Sequence, residues 1–173
     1  MTVYKEEISI KSNGGRPTYV NLTFYIQKAI ENSKVKSGIC TVISPHTTCA
    51  VFFEEFVHDY NENGEEFLQE DLNNVLNQII PDQTREGMYK YPGEKHYQAV
   101  ASWPDAEEYL PGGDRAALWN CDAHLKATVV GSSQTFEVDD GRLGVGKTGY
   151  IYFADFDRTR PRTRTCKVII MGE

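Results

Sequence analysis

The sequence predicts an α+β fold, a mixed but mainly antiparallel β-sheet in layers packed with two main helices. Three observations carry that expectation. Short β-branched or alternating runs occupy both ends of the chain, with Ile8 and Ile10 on one face near the start and Cys166 to Met171 near the end. A single central segment, Asn63 to Ile80, carries a clear helical period. Helices and strands do not alternate strictly along the chain, which argues against a doubly wound parallel sheet.

Taken in order, Thr2 to Lys11 reads as a first strand, and Asn13-Gly14-Gly15 as a turn. Residues from about Thr23 to Asn32 read as a helix with Phe24, Ile26 and Ile30 among its buried positions. Gly38 to Ser44 is a β-branched run, hence a strand, and Pro45 ends it because proline offers no backbone donor. Cys49 to Phe53 resumes as a strand. In Asn63 to Ile80, the residues Leu68, Leu72, Val75, Leu76 and Ile79 follow a helical spacing. Asn63 and Glu66 make a capping pair, and Pro81 closes the segment. Asp82 to Asn120 is broken by Pro92, Gly93, Pro104, Pro111, Gly112 and Gly113. It reads as a long loop with one short helix, held together by its aromatic residues, and long loops in compact domains are usually functional or disordered. Four strands are expected after it, at His124 to Gly131, Gln134 to Val138, Tyr150 to Ala154 and Cys166 to Met171, with a turn at Asp139-Asp140-Gly141.

Composition narrows the function. The chain has 173 residues, 40% of them hydrophobic and 25% charged, as expected of one globular domain spanning residues 1–173. Eighteen basic and 25 acidic residues leave a net charge of −7, which argues against a dedicated nucleic-acid binder. No apolar run approaches the ~18 residues of a membrane span, and Met1 to Glu6 shows no apolar signal segment, so a cytoplasmic protein is expected. The four cysteines, Cys40, Cys49, Cys121 and Cys166, form no Cys-x-x-Cys pair and read as small buried thiols.

Three motifs bear on chemistry. Gly141 to Thr148 spells G-x-x-x-x-G-K-T, the phosphate-cradling P-loop pattern. That chemistry needs a helix after the loop, so that its N-terminus faces the phosphate. Here Gly149-Tyr150-Ile151-Tyr152-Phe153 follows, and it reads as a strand, so Lys147 is not expected to bind nucleotide. The second motif is a set of histidines. His46 sits at a strand break, His96 in the long loop, and His124 beside Lys126 on one face if that segment is a strand. Converging neutral imidazoles suit a divalent metal or a shared anion. The third is Arg158-Thr159-Arg160-Pro161-Arg162-Thr163-Arg164, whose alternate arginines line one side of an extended chain. They suit phosphate gripping, a solvated edge, or a contact with the acidic stretch Glu54 to Asp71.

The motifs combine into a resemblance. His46-Thr47-Thr48 precedes an apolar strand, Glu55 follows it, and Asp71-Leu72 leads into a helix ending Ile79-Ile80-Pro81-Asp82. Ala123-His124-Leu125-Lys126-Ala127 runs into Gly131-Ser132, and Gly141-Arg142-Leu143 and Gly149-Tyr150-Ile151 follow. In that order the chain resembles the YjbQ family, also called the secondary thiamine-phosphate synthase family. The resemblance implies a homotrimer and a polar pocket near the subunit boundary with three histidines, His46, His124 and a second one, for which His96 is the candidate. In the family that second histidine lies in a Tyr-x-His-Asp segment close before the third. Here His96 stands 28 positions before His124 and is followed by Tyr97, so a loop insertion is expected within about 82–120, roughly Gln98 to Leu118.

The implied activity is weak thiamine-phosphate synthase chemistry, in which a thiazole nitrogen displaces pyrophosphate from a pyrimidine methylene. Such a reaction needs positive charge on the leaving group. Lys126 and Arg142, with Glu55, are the catalytic candidates. Thr47, Thr48, Ser132 and Ser133 are the substrate-binding candidates, and a divalent ion, zinc or magnesium, is expected on His46, His96 and His124. The alternatives are a metal-dependent hydrolase of a phosphorylated small molecule and a non-enzymatic binder of one.

Overall fold

A computed structural model describes all 173 residues. Two sheets and a helical layer are stacked. The first sheet has five strands in the order β1 (Thr2–Ser12), β8 (Arg162–Gly172), β3 (Ser37–Ile43), β5 (Ser133–Asp139) and β6 (Arg142–Leu143). The second has β2 (Thr18–Asn21), β7 (Gly149–Asp155) and β4 (Cys49–Glu55). Every strand pairing is antiparallel.

The main core lies between the sheets, where Cys40 and Val42 of β3, Val51 of β4, Phe153 of β7 and Val168 and Ile170 of β8 meet α1 (Thr23–Ser33). A second core lies on the far face of the three-stranded sheet. There Ala50, Phe52, Tyr152 and Ala154 are covered by Leu76 of α2 (Phe67–Ile79) and by Ala123 and Ala127 of α5 (Cys121–Val130). β4 and β7 are therefore buried on both faces. This is why Ala50-Val51-Phe52 and Ile151 to Ala154 are apolar runs rather than alternating ones. All four cysteines are free and buried, and burial pushes the thiols of Cys40, Cys49 and Cys166 up to about 12.

Several expectations need correction. His124 to Gly131 is not a strand but most of α5. Its buried residues are Cys121, Asp122, Ala123, Lys126 and Ala127, a helical spacing in which an acid and a lysine sit on the inner face. Charges where apolar residues are expected erased the 3.6-residue signal, and Thr128-Val129-Val130 mimicked a strand. The central helix starts at Phe67, its N-cap Glu66 makes no capping bond, and of the apolar stripe only Leu76 is buried. Glu66 instead accepts the Tyr152 hydroxyl through both carboxylate oxygens at 2.8 and 2.9 Å. In α1, Phe24 is exposed, while Ile26, Ala29 and Ile30 are buried. The segment after Pro81 holds α3 (Glu94–Ala101), α4 (Ala106–Tyr109) and two 3₁₀ turns, gathered around Tyr97, Val100, Leu110 and Leu118.

The P-loop-like string is a hairpin. Asp140 and Gly141, both with positive φ (48° and 71°), make the tight turn from β5 to β6. Residues 144–148 then lead into strand β7, and no helix follows. Gly149 opens that strand because a Cβ there would stand 2.2 Å from the Phe53 ring.

Candidate functional site

The β3–β4 connection builds the site. Pro45 takes the chain out of the sheet, Ser44 N–H bonds to Ser132 O at 2.8 Å, and Cys49 N–H bonds back to His46 O at 3.1 Å. The compact turn so formed presents His46, Thr47 and Thr48 to a cavity of about 320 Å³. The opposite wall is Asn120 and His124 of the α5 start, and the floor is Asp157, Arg162 and Arg164 around the β7–β8 connection. Tyr91, His96, Trp103 and Tyr109 of the 82–120 segment close it over. His46, His96 and His124 thus line one cavity, although they come from three separate parts of the chain.

A buried ionic lattice supports the floor. Arg164 Nε donates to Asp155 Oδ2 at 2.7 Å, and its Nη2 donates to Thr48 Oγ1 at 3.1 Å. Arg162 Nη2 pairs with Asp157 Oδ2 at 2.8 Å, and Asn120 Nδ2 donates to the same oxygen at 3.1 Å. Thr159 supplies Asp157 Oδ1 with N–H and O–H bonds at 2.9 and 2.6 Å. Burial pushes the Asp157 carboxyl up, but Arg162 and these donors outweigh it and hold it below the usual range, so it is ionised. The Nη1 groups of Arg162 and Arg164 have no protein partner.

Two of the histidines are shifted toward the neutral form. Burial lowers His124, against a bond to the Thr47 backbone that favours its charged form. Burial and then Arg164 lower His46, with Asp155 opposing. Tyr91 links the other two, its hydroxyl 3.0 Å from His96 Nε2 and its ring edge-on to His124 at 5.6 Å between centroids.

No three His, Cys, Asp or Glu side chains stand close enough to hold a metal ion. The lone pair of His46 Nε2 is already used, because Thr165 N–H donates to it at 2.9 Å.

The other sequence candidates disperse. Ser132 lines an adjoining cavity of about 430 Å³ that shares Pro45, His46 and Thr47 with the first, and Ser133 is exposed at the start of β5, opposite Ile43. Lys126 is 1% exposed and wholly engaged, with Nζ 2.6 Å from Asn77 Oδ1 and from Asp82 Oδ1 and 3.6 Å from Asp122. On a helix, two residues are about 200° apart, so Lys126 points away from His124 rather than lying beside it. Arg142 sits at the far end of β5 from Ser133, about 20 Å along the strand. Glu55 sits at the far end of β4 from Thr48, opposite Gly149.

The arginine run divides. Arg162 and Arg164 enter the cavity, Arg160 lies over the Tyr109 ring, and Arg158 pairs with Asp82 and Asp122. Asp157, Asn120 and Tyr91 were missed as site residues. Of these, only Asp157 had a signal, being the one acid abutting the arginine run.

Comparison with known proteins agrees with the sequence resemblance. Residues 6–173 match the family described as UPF0047 protein YjbQ-like, and the chain belongs to it. It is 34% identical to UPF0047 protein MJ1081 of Methanocaldococcus jannaschii, over 95% of this chain and 91% of that one. It is 26% identical to UPF0047 protein YugU of Bacillus subtilis, over 91% and 92% of the two chains. The crystal structure of an uncharacterised YjbQ/UPF0047 protein from Clostridium acetobutylicum superposes with a TM-score of 0.68 at 24% identity, covering 96% of this chain and 99% of that one. The α+β fold is thus that of YjbQ-like proteins.

Proposed function

For this member of the YjbQ-like family we propose that the histidine-lined cavity binds a phosphorylated small molecule. One observation carries the reading. His46, His96 and His124 share a cavity with two arginines whose Nη1 donors have no partner in the protein. Guanidinium groups grip phosphoryl oxygens through charge-assisted bonds, about twice as strong as neutral ones. A volume of about 320 Å³ lies at the small end of ligand cavities and suits a metabolite rather than a polymer.

The chemistry this supports best is the transfer implied by the resemblance. A thiazole nitrogen attacks a pyrimidine methylene, the C–N bond forms, the C–O bond breaks, and pyrophosphate leaves with the electron pair. The nitrogen carries no proton, so little acid–base work is required. Arg162 and Arg164 take the charge-stabilising role in place of Lys126 and Arg142. The aromatic cover of Tyr91, Trp103 and Tyr109 suits planar rings.

Calorimetry with inorganic phosphate, pyrophosphate and a thiazole phosphate tests binding, and release of pyrophosphate from the mixed substrates tests transfer. Binding of at least one phosphorylated compound is expected. No binding of any, or hydrolysis of simple esters only with added metal, overturns the reading.

The proposed assembly is a homotrimer. α2 and α5 leave Leu68, Val75, Ile79, Leu125 and Val129 exposed, an apolar stripe suited to covering by a second copy. Light scattering is expected to give about three times 19.6 kDa, and a monomer at micromolar concentration refutes it.

A further inference from the structure

We infer that the backbone of Thr165 locks His46 into the tautomer with its proton on Nδ1, making it a fixed hydrogen-bond donor to ligand oxygens rather than a metal ligand or a base. The inference rests on the phosphoryl reading of the cavity for the identity of those oxygens, but its geometry stands apart from it.

The lock follows from how the sheet ends. β8 pairs with β3 as far as Ile43↔Lys167, and β3 stops there. Pro45 then carries the chain away, so the Thr165 N–H, two residues further along β8, loses the carbonyl that a longer β3 would have offered. An unpaired buried backbone donor is costly. The His46 imidazole returns to the gap and accepts that N–H on Nε2 at 2.9 Å, extending the ladder by one side-chain rung.

A backbone N–H can only donate, so Nε2 must present its lone pair. A neutral imidazole has one protonated nitrogen and one acceptor, so the proton is on Nδ1, and in this state the ring has no second lone pair. A metal on Nδ1 would require the proton on Nε2, set against the Thr165 N–H, and a metal on Nε2 would orphan that N–H. Protonating the ring fails for the same reason, and burial and Arg164 act in the same direction.

His46 has no other side-chain hydrogen bond in the protein. His46 lines the cavity with Arg164 and Thr48. Thr48 donates its hydroxyl to Asp155 and accepts from Arg164, so the donors left are those of His46 and Arg164, which suit an acceptor-only group such as a phosphoryl oxygen and disfavour a cation. His46 is thus a positioning and specificity-determining residue.

Two-bond ¹H–¹⁵N spectra of the full chain labelled on histidine report the tautomer directly. In water imidazole favours the proton on Nε2, so the expected Nδ1–H pattern for His46 at neutral pH is diagnostic. Inorganic phosphate is expected to shift its Nδ1 resonance, and zinc chloride to leave both nitrogens unmoved.

Variants supply the second arm. A lost bond to a charged group weakens binding ~10–150-fold, so His46→Ala is expected to lose phosphate affinity by that factor. His46→Gln offers an acceptor and a donor on one amide and is expected to retain affinity within several-fold, which a metal ligand or base would not allow. An Nε2–H pattern, a zinc-induced shift at His46, or equal losses in the Ala and Gln variants overturns the inference. An Nδ1–H pattern that phosphate does not move overturns the phosphoryl reading of the cavity and leaves the tautomer standing.

Discussion

Two ionic clusters flank α5, and the proposed site uses only one of them. On the inner side, Lys126, Asp122, Asp82, Asn77 and Arg158 close on one another, and every Lys126 donor is taken up by Asn77, Asp82 or Asp122. On the cavity side, Arg162 and Arg164 are also paired with buried aspartates, yet each retains an uncommitted Nη1. Charge is alike in the two, while Asp82 is 30% exposed and Asp155 and Asp157 are at most 1% exposed. Lys126 has no donor left over, although Arg158 Nε beside it is buried without a partner, whereas Arg162 and Arg164 each keep an unpartnered Nη1 that the proposed ligand would use. By sequence Lys126 is a catalytic candidate; in space its ammonium is enclosed by Asn77, Asp82 and Asp122.

The largest expected effect sharpens this contrast. Lys126→Met leaves Asp122, 2% exposed, with only Arg158 at 3.5 Å. Breaking one partner from a buried pair costs about 3–5 kcal/mol. For a chain of this size, each kcal/mol shifts Tm by roughly 2–4 °C, so a fall of about 6–20 °C is expected in thermal unfolding. Adding Asp122→Asn removes the stranded charge and is expected to recover part of the loss. Phosphate affinity of the folded fraction should not change. A stable Lys126→Met protein that has lost only ligand binding would reverse the two clusters' roles.

Arg162→Gln is the matching test of the open cluster. Asp157 keeps Thr159 and Asn120, so the fold should persist while phosphate binding weakens ~10–100-fold, the worth of a bond to a charged group. Calorimetry decides it, and unchanged affinity would sink the assignment.

What was legible in the sequence follows the same division between local and non-local information. β1, α1, β3, β4, β7 and β8 were readable because propensity, turn residues and burial agree in them. Proline at 45 and the His46-Thr47-Thr48 turn located one wall of the candidate cavity. The opposite wall was hidden because α5 buries Asp122 and Lys126 where periodicity looks for leucine. Reading it as a strand placed Lys126 beside His124. The alternating arginines were visible, but which two enter the cavity depends on Asp82, Asp122 and Tyr109, all distant in sequence.

A smaller effect concerns a third acidic cluster, away from the cavity. Burial, then repulsion from Glu66, pushes the Glu54 carboxyl up to about 7, and its Oε2 is buried without a partner. A carboxyl raised above its unfolded value of 4.5 favours folding while protonated. That contribution is complete below about 4.5 and is lost as pH rises through about 7. Glu54→Gln keeps a neutral group at all pH values. It is therefore expected to raise Tm by a few degrees at pH 8, with the difference vanishing near pH 4.5. A pH-independent difference would mean that Glu54 acts through packing alone.

The smallest expected effect is at Lys147, and it tests whether sequence spelling or structural surroundings decide a phosphate site. Gly141 to Thr148 has every residue type a P-loop uses. A P-loop works because consecutive amides converge on the phosphate at the start of a helix, where the dipole adds its field. Here the string turns between β6 and β7, Lys147 and Thr148 are exposed, and Thr148 spends its carbonyl on the Phe56 N–H at 2.8 Å. No helix N-terminus is present for Lys147 to complement. Lys147→Ala is accordingly expected to leave Tm within ~1–2 °C and phosphate affinity unchanged, as for surface substitutions generally. Magnesium-dependent ATP binding that disappears in Lys147→Ala would show that the hairpin can refold around a nucleotide. The histidine cavity, whose donors are already oriented, would then no longer be the chain's principal phosphate site.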